Sequence, residues 1–167
     1  MKAYLKMPGY WLLAEVLTLF IDLTFSFSDH AVVRLLCAVC TVGIYLSLMV
    51  QGGYAAARAD KKRHIEFTPL RPLTLGLAGA AVPALLTIAL LLAKLGVLAD
   101  GFYRLYKLLC APFLAVCNLM SADIAASSLP AWGIAVLLAV SLAAIPAVMI
   151  AYKMTFEGKA PEDAMYR

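Results

Sequence analysis

Arg58-Ala-Asp-Lys-Lys-Arg-His-Ile-Glu-Phe-Thr-Pro-Leu-Arg71 is the stretch on which the fold turns: it holds five of the fourteen lysines and arginines of the chain. On its two sides lie residues 35–57 and 72–93, and neither run contains a charged residue. A third uncharged run covers 124–152. Each is long enough, as a helix rising 1.5 Å per residue, to cross a hydrocarbon core about 30 Å thick. Residues 10–28 have the same length but carry Glu15 and Asp22. Hydrophobic residues make up 64% of the 167, against roughly 45–50% in soluble domains. Lipid must therefore cover part of the surface. The expectation is a single all-α bundle over 1–167, a polytopic helical membrane protein with spans at about 10–28, 32–54, 73–95 and 130–152.

The weaker segment at about 102–122 carries Lys107, Pro112 and Asn118. The tendency of Lys and Arg to stay in short cytoplasmic loops arbitrates its placement. If it does not cross, ten basic residues lie on the inner side and four (Arg34, Lys94, Arg104 and Lys107) on the outer. If it does, Lys153, Lys159 and Arg167 change sides and the split is seven to seven. Four spans with both termini cytoplasmic is the better account, and five spans the alternative. The segment is then interfacial or re-entrant, broken at Pro112, with Phe102, Tyr103, Arg104, Tyr106 and Lys107 at headgroup level. The first span is read as a retained signal-anchor, because Glu15 and Asp22 interrupt it and no small-x-small cleavage site follows.

Glu15, Asp22 and Asp29 are spaced by seven and share one helix face. An acid at the depth of Asp22 costs roughly 2.5–3.5 kcal/mol, so it should face the bundle or an aqueous cavity. Arg34 is its expected partner across a hairpin turning at Asp29-His30, fixing helix register. The other readings of Glu15, Asp22 and Arg34 are a cation or proton path and docking against a basic residue of another subunit. Cys37 and Cys40 form a C-x-x-C inside an apolar run. That pattern suits a membrane thiol–disulfide oxidoreductase, although buried inert thiols are the plainer reading. Cys110 and Cys117 share a face of the weak segment.

Ala135, Ala139, Ala143, Ala147 and Ala151 recur every four residues. Such a small-residue stripe lets a second helix approach closely, with Gly76, Ala80 and Ala84 of the third span as the matching face, or a second copy or partner protein instead. Pro83 and Pro146 mark expected kinks. The basic stretch from Arg58 to Arg71 is expected to contact anionic headgroups. No metal site, cofactor motif, catalytic constellation or nucleic-acid-binding pattern is present in the sequence.

Two short motifs carry a resemblance. One is Gly52-Gly53-Tyr54, then Asp60, Arg71-Pro72, Gly76 and Pro83. The other is Tyr103-Arg104-Leu105 leading into Ala111-Pro112-Phe113. Together they resemble a group of small, uncharacterised multi-span membrane proteins of Gram-positive bacteria. The chain departs from that group at Leu109-Cys110, where an Asn is expected, and in lacking a Gly-Tyr-rich ending. The resemblance implies a bacterial cytoplasmic membrane and no site residues. The functional expectation is an accessory or scaffold subunit without enzymatic activity; a small cation- or proton-coupled transporter is the second class, and the thiol enzyme the third.

Overall fold

A computed structural model describes residues 2–25, 30–121 and 125–158. Ser26, Asp29, Lys159 and Arg167, and with them most of the expected Asp29-His30 turn, lie outside those residues. The described chain forms α1 (Lys2–Phe25), α2 (Ala31–Lys61), α3 (Leu70–Lys94), α4 (Phe102–Leu109), α5 (Ala111–Met120), α6 (Ala131–Leu142) and α7 (Ala144–Phe156). A 3₁₀ turn, Ala126–Ser128, precedes α6. Among the described residues four helical stretches are long and apolar enough to cross a membrane: Tyr4–Phe25, Ala31–Lys61, Leu70–Lys94 and Ala131–Phe156, which joins α6 and α7. The fold is the expected helical membrane bundle. Large apolar side chains such as Phe20, Val39, Leu85 and Ile150 point outward, a surface suited to lipid.

Two spans outrun their expected ends. α1 starts at Lys2 rather than near residue 10, and α2 continues to Lys61 rather than 54. Residues 54–61 contain four alanines and no helix breaker, so nothing stops the helix there. Arg58 and Lys61 consequently occupy the last turn of α2, where positive charge suits the helix dipole. Six of the fourteen residues of the basic stretch are helical, and the true connection is residues 62–69. α2 ends in a Schellman arrangement: the Ile65 amide donates to the Asp60 carbonyl (3.1 Å) and the His64 amide to Lys61 (3.1 Å). His64 takes the left-handed position at φ 54°.

α4 and α5 form a helical hairpin whose tip is buried in the bundle. The chain breaks at Cys110 (φ −132°, ψ 56°), two residues before Pro112. Proline fits the first turn of a new helix, where its missing N–H is not needed. α5 packs on α1 and α2, and α4 on α3, so the tip of the hairpin, Cys110 to Phe113, is buried in protein, the condition under which broken backbone is tolerated at membrane depth.

The fourth span is interrupted at Ala143, between α6 and α7. Pro146 supplies no amide to the Leu142 carbonyl, and the Ala147 amide reaches Ala143 at a stretched 3.3 Å. Pro83, by contrast, sits inside an unbroken α3. The alanine stripe does not follow the packed seam. Ala135 and Ala139 are exposed, Ala143 and Ala147 half-buried, and Ala151 buried. A four-residue repeat overshoots a helical turn by about 40° at each step, so the stripe winds from the outer surface into the core. The buried line is instead Ile134, Leu137, Ser141, Ala144, Val148, Ala151 and Thr155, alternating three and four residues as a straight packing seam requires.

Glycines set the closest approaches. A Cβ on Gly76 would meet the Ile145 Cα at 2.9 Å, and one on Gly53 would meet the Val148 carbonyl at 3.0 Å. α7 thus lies in a groove between α2 and α3. Gly76 makes the expected contact with the fourth span, but to Ile145 rather than to an alanine of the stripe. Gly76→Leu is expected to destabilise the protein by about 1–3 kcal/mol through overpacking. Gly43→Ala, with nothing within 4 Å of its added Cβ, should be neutral or stabilise by up to about 1 kcal/mol. Thermal melts of both variants in one detergent provide the check.

Candidate functional site

Acids and their partners define two places inside the bundle. The first surrounds the hairpin tip. Glu15 lies midway along α1 and accepts the Ala111 amide through Oε1 at 2.9 Å. That amide is the first of α5, so the carboxylate caps a half-helix whose N-terminus carries partial positive charge. The second oxygen, Oε2, is buried with no hydrogen-bond partner. One heptad along α1, Asp22 is only 7% exposed. Its Oδ1 accepts the Cys37 thiol at 3.2 Å, and its Oδ2 is buried without a partner. Cys37 thereby takes the place expected for Arg34, which lies half-buried one turn earlier on α2. Asp22 does face the bundle. The C-x-x-C is divided, with Cys37 buried and Cys40 exposed, and all four cysteines are free.

The hairpin is tied to its surroundings by further polar contacts. Tyr106 shares a hydrogen bond of 3.0 Å with Thr87 of α3. Tyr103 donates to the Cys117 carbonyl at 3.4 Å, closing α4 onto α5. Lys107 lies 4.5 Å from the Tyr103 ring centroid and donates to the Ser121 carbonyl at 3.3 Å. Phe113 packs edge-on to Tyr45 at 5.4 Å, whose hydroxyl donates to the Ser141 carbonyl at 3.2 Å. Cys110 and Cys117 are fully buried in this packing.

The second place was not singled out from the sequence. Asp60, in the last turn of α2, is 1% exposed. Arg71, at the start of α3, grips it with two donors: Nε to Oδ2, and Nη2 to Oδ1 at 2.6 Å. The Tyr152 hydroxyl of α7 also donates to Oδ2, at 2.9 Å. Three spans meet on one carboxylate. Phe67, Tyr152 and Phe156 cover it with ring centroids 5.1–6.1 Å apart. Arg71, expected among the headgroup contacts, is engaged inside the protein. The signal that would have found this joint is an acid embedded in a basic run with Arg-Pro opening the next helix.

Among the described residues no cluster of three or more His, Cys, Asp or Glu is placed to hold a metal. The chain has no match among protein-family models, curated proteins or solved structures.

Two predictions follow from these contacts. Glu15→Gln retains an acceptor for the Ala111 amide, whereas Glu15→Leu orphans it at a cost of about 1–3 kcal/mol. Maleimide labelling of Cys110 is therefore expected to rise in Glu15→Leu and stay at the wild-type level in Glu15→Gln. At the other joint, Arg71→Ala leaves a buried carboxylate uncompensated and should cost about 3–5 kcal/mol. The double variant Asp60→Leu with Arg71→Leu should lose less than that, read as unfolding midpoints in a double-mutant cycle.

Proposed function

We propose that this protein is a non-enzymatic accessory or scaffold subunit of a larger membrane assembly, resident in a bacterial cytoplasmic membrane with both termini inside. The observation that carries the reading is the use made of the intramembrane polar groups. Glu15, Asp60, Arg71, Tyr45, Thr87, Tyr106 and Tyr152 each join one helix to another. A bundle built this way is a rigid body that presents a fixed outer surface. Its connections at 62–69 and 95–101 are short, leaving little outside the membrane to hold a reaction. The ten-to-four charge division supports the orientation. On the outward side of α6, Ala135 and Ala139 stay exposed beside Trp132, a close-approach surface with an aromatic anchor.

The test is isolation from native membranes in a mild detergent, followed by mass measurement of the intact complex. A fixed stoichiometry with another membrane protein is expected, with Ala139→Leu releasing it at an unchanged melting temperature. A protein that runs alone under these conditions counts against the subunit reading.

Proton or cation coupling is the second reading, favoured by the unpartnered Oε2 of Glu15 and Oδ2 of Asp22 on one face of α1. Reconstituted liposomes loaded with a pH-sensitive dye separate the two. Under the second reading wild type dissipates an imposed gradient and Asp22→Asn does not; under the subunit reading neither does.

A further inference from the structure

We propose that the α1–α2 surface at the end of the bundle bearing residues 62–69 is a binding site for the phosphate of an anionic phospholipid. Two adjoining clefts open there, one on each side of Tyr10. The first, of about 120 Å³, is bordered by Lys6 of α1 and Arg63 beyond the end of α2. The second, of about 250 Å³, is bordered by Tyr54 and Arg58 of α2. Both share Tyr10 and Ala55.

The sequence explains why there is space. At Gly52 the two helices pack tightly, since a Cβ there would lie 2.9 Å from the Met7 sulfur and 3.0 Å from the Tyr10 ring. Beyond it α2 offers only Ala55, Ala56 and Ala59 as a floor, and these do not fill the gap that Lys6 and Tyr10 span. Lys6 of α1 and Arg63, just after α2, border the first cleft, and Arg58 of α2 borders the second. The acid in the lining, Asp60, is already compensated by Arg71 and Tyr152, so the local balance is positive.

The shared chemistry is a phosphate with a negative charge, and two features favour a lipid over a soluble phosphate. Tyr10 and Tyr54 flank the site as interfacial aromatics do. From Tyr10, Leu13 and Leu17 continue along the same flank of α1, 46% and 43% exposed, and make an apolar track for an acyl chain toward the bilayer centre. Basic pockets between transmembrane helices at headgroup level hold anionic lipids in this manner.

The test uses the full-length protein in dodecyl maltoside, titrated with palmitoyl-oleoyl phosphatidylglycerol, with the phosphatidylcholine of the same chains, and with glycerol 3-phosphate, and read by intact-complex mass spectrometry and melting temperature. Phosphatidylglycerol is expected to form a discrete one-to-one adduct and raise the melting temperature. Lys6→Ser combined with Arg63→Ser should weaken that adduct about thirtyfold, each basic residue at such an interface being worth about fivefold. Both side chains are exposed, so the lipid-free melting temperature should not move. Ala55→Leu, at an exposed position in both clefts, should block the adduct with every charge retained. Equal retention of the phosphatidylcholine, or an adduct indifferent to both variants, overturns the proposal. Competition by glycerol 3-phosphate at the same concentration as the lipid also overturns it, in favour of a soluble phosphate.

Discussion

The carboxylate of Asp60 is the junction on which the bundle depends. Carbon–carbon contacts hold helices together weakly in lipid, because the acyl chains compete for the same surface. A buried ion pair with bidentate geometry and a third hydrogen bond is directional, and it fixes α2, α3 and α7 at one height. The glycine contacts of Gly53 with Val148 and of Gly76 with Ile145 are then possible, because the helices meet in the right register. Take the junction away and the glycines face smooth surfaces with no preferred offset.

The hairpin of α4 and α5 solves a different problem. A chain that enters the bundle and turns back leaves backbone donors at its tip in a medium with no water. Here the Ala111 amide, buried and without a partner inside its own helix, meets Glu15 from the first span, while Pro112, the next residue, has no donor to satisfy. The acid of α1 and the break in the weak segment are thus one feature, split across about a hundred residues of chain. Asp22 uses a single thiol and, like Glu15, keeps a buried second oxygen without a partner. Those leftover oxygens are why Glu15 and Asp22 support the coupling reading while Asp60, with both oxygens engaged, does not.

The four spans and the turned-back segment were legible because both depend on length of apolar sequence and on where basic residues fall. The joints were much less so. Asp60 sits among lysines and arginines and looks like one solvated charge of several; its partners are 11 and 92 residues away. Opposite charge makes Arg34 the natural partner of Asp22 in the sequence, whereas helix register places Cys37 there. The alanine stripe misled for a geometric reason. Its four-residue period is plain in the sequence, yet a helix turns in 3.6, and the packed line keeps to a three-and-four alternation that mixes Ile, Leu, Ser, Ala, Val and Thr. Residues of both short motifs, among them Gly53, Asp60, Arg71, Gly76 and Ala111, fall at helix crossings and joints. They are architectural positions.

The third bond on Asp60 also has a meaning in time. A polypeptide leaves the ribosome from its N-terminus, so α2 and α3 reach the membrane before α7 has been made. During that interval the ion pair lacks its phenolic donor and two of the three rings beside it, Tyr152 and Phe156, and two glycine grooves stand bare. A chain arrested before Tyr152 therefore displays an incompletely satisfied charge at a helix boundary. Arrival of α7 supplies the third bond and fills both grooves, so the register of α2 and α3 is locked only once the fourth span is in place.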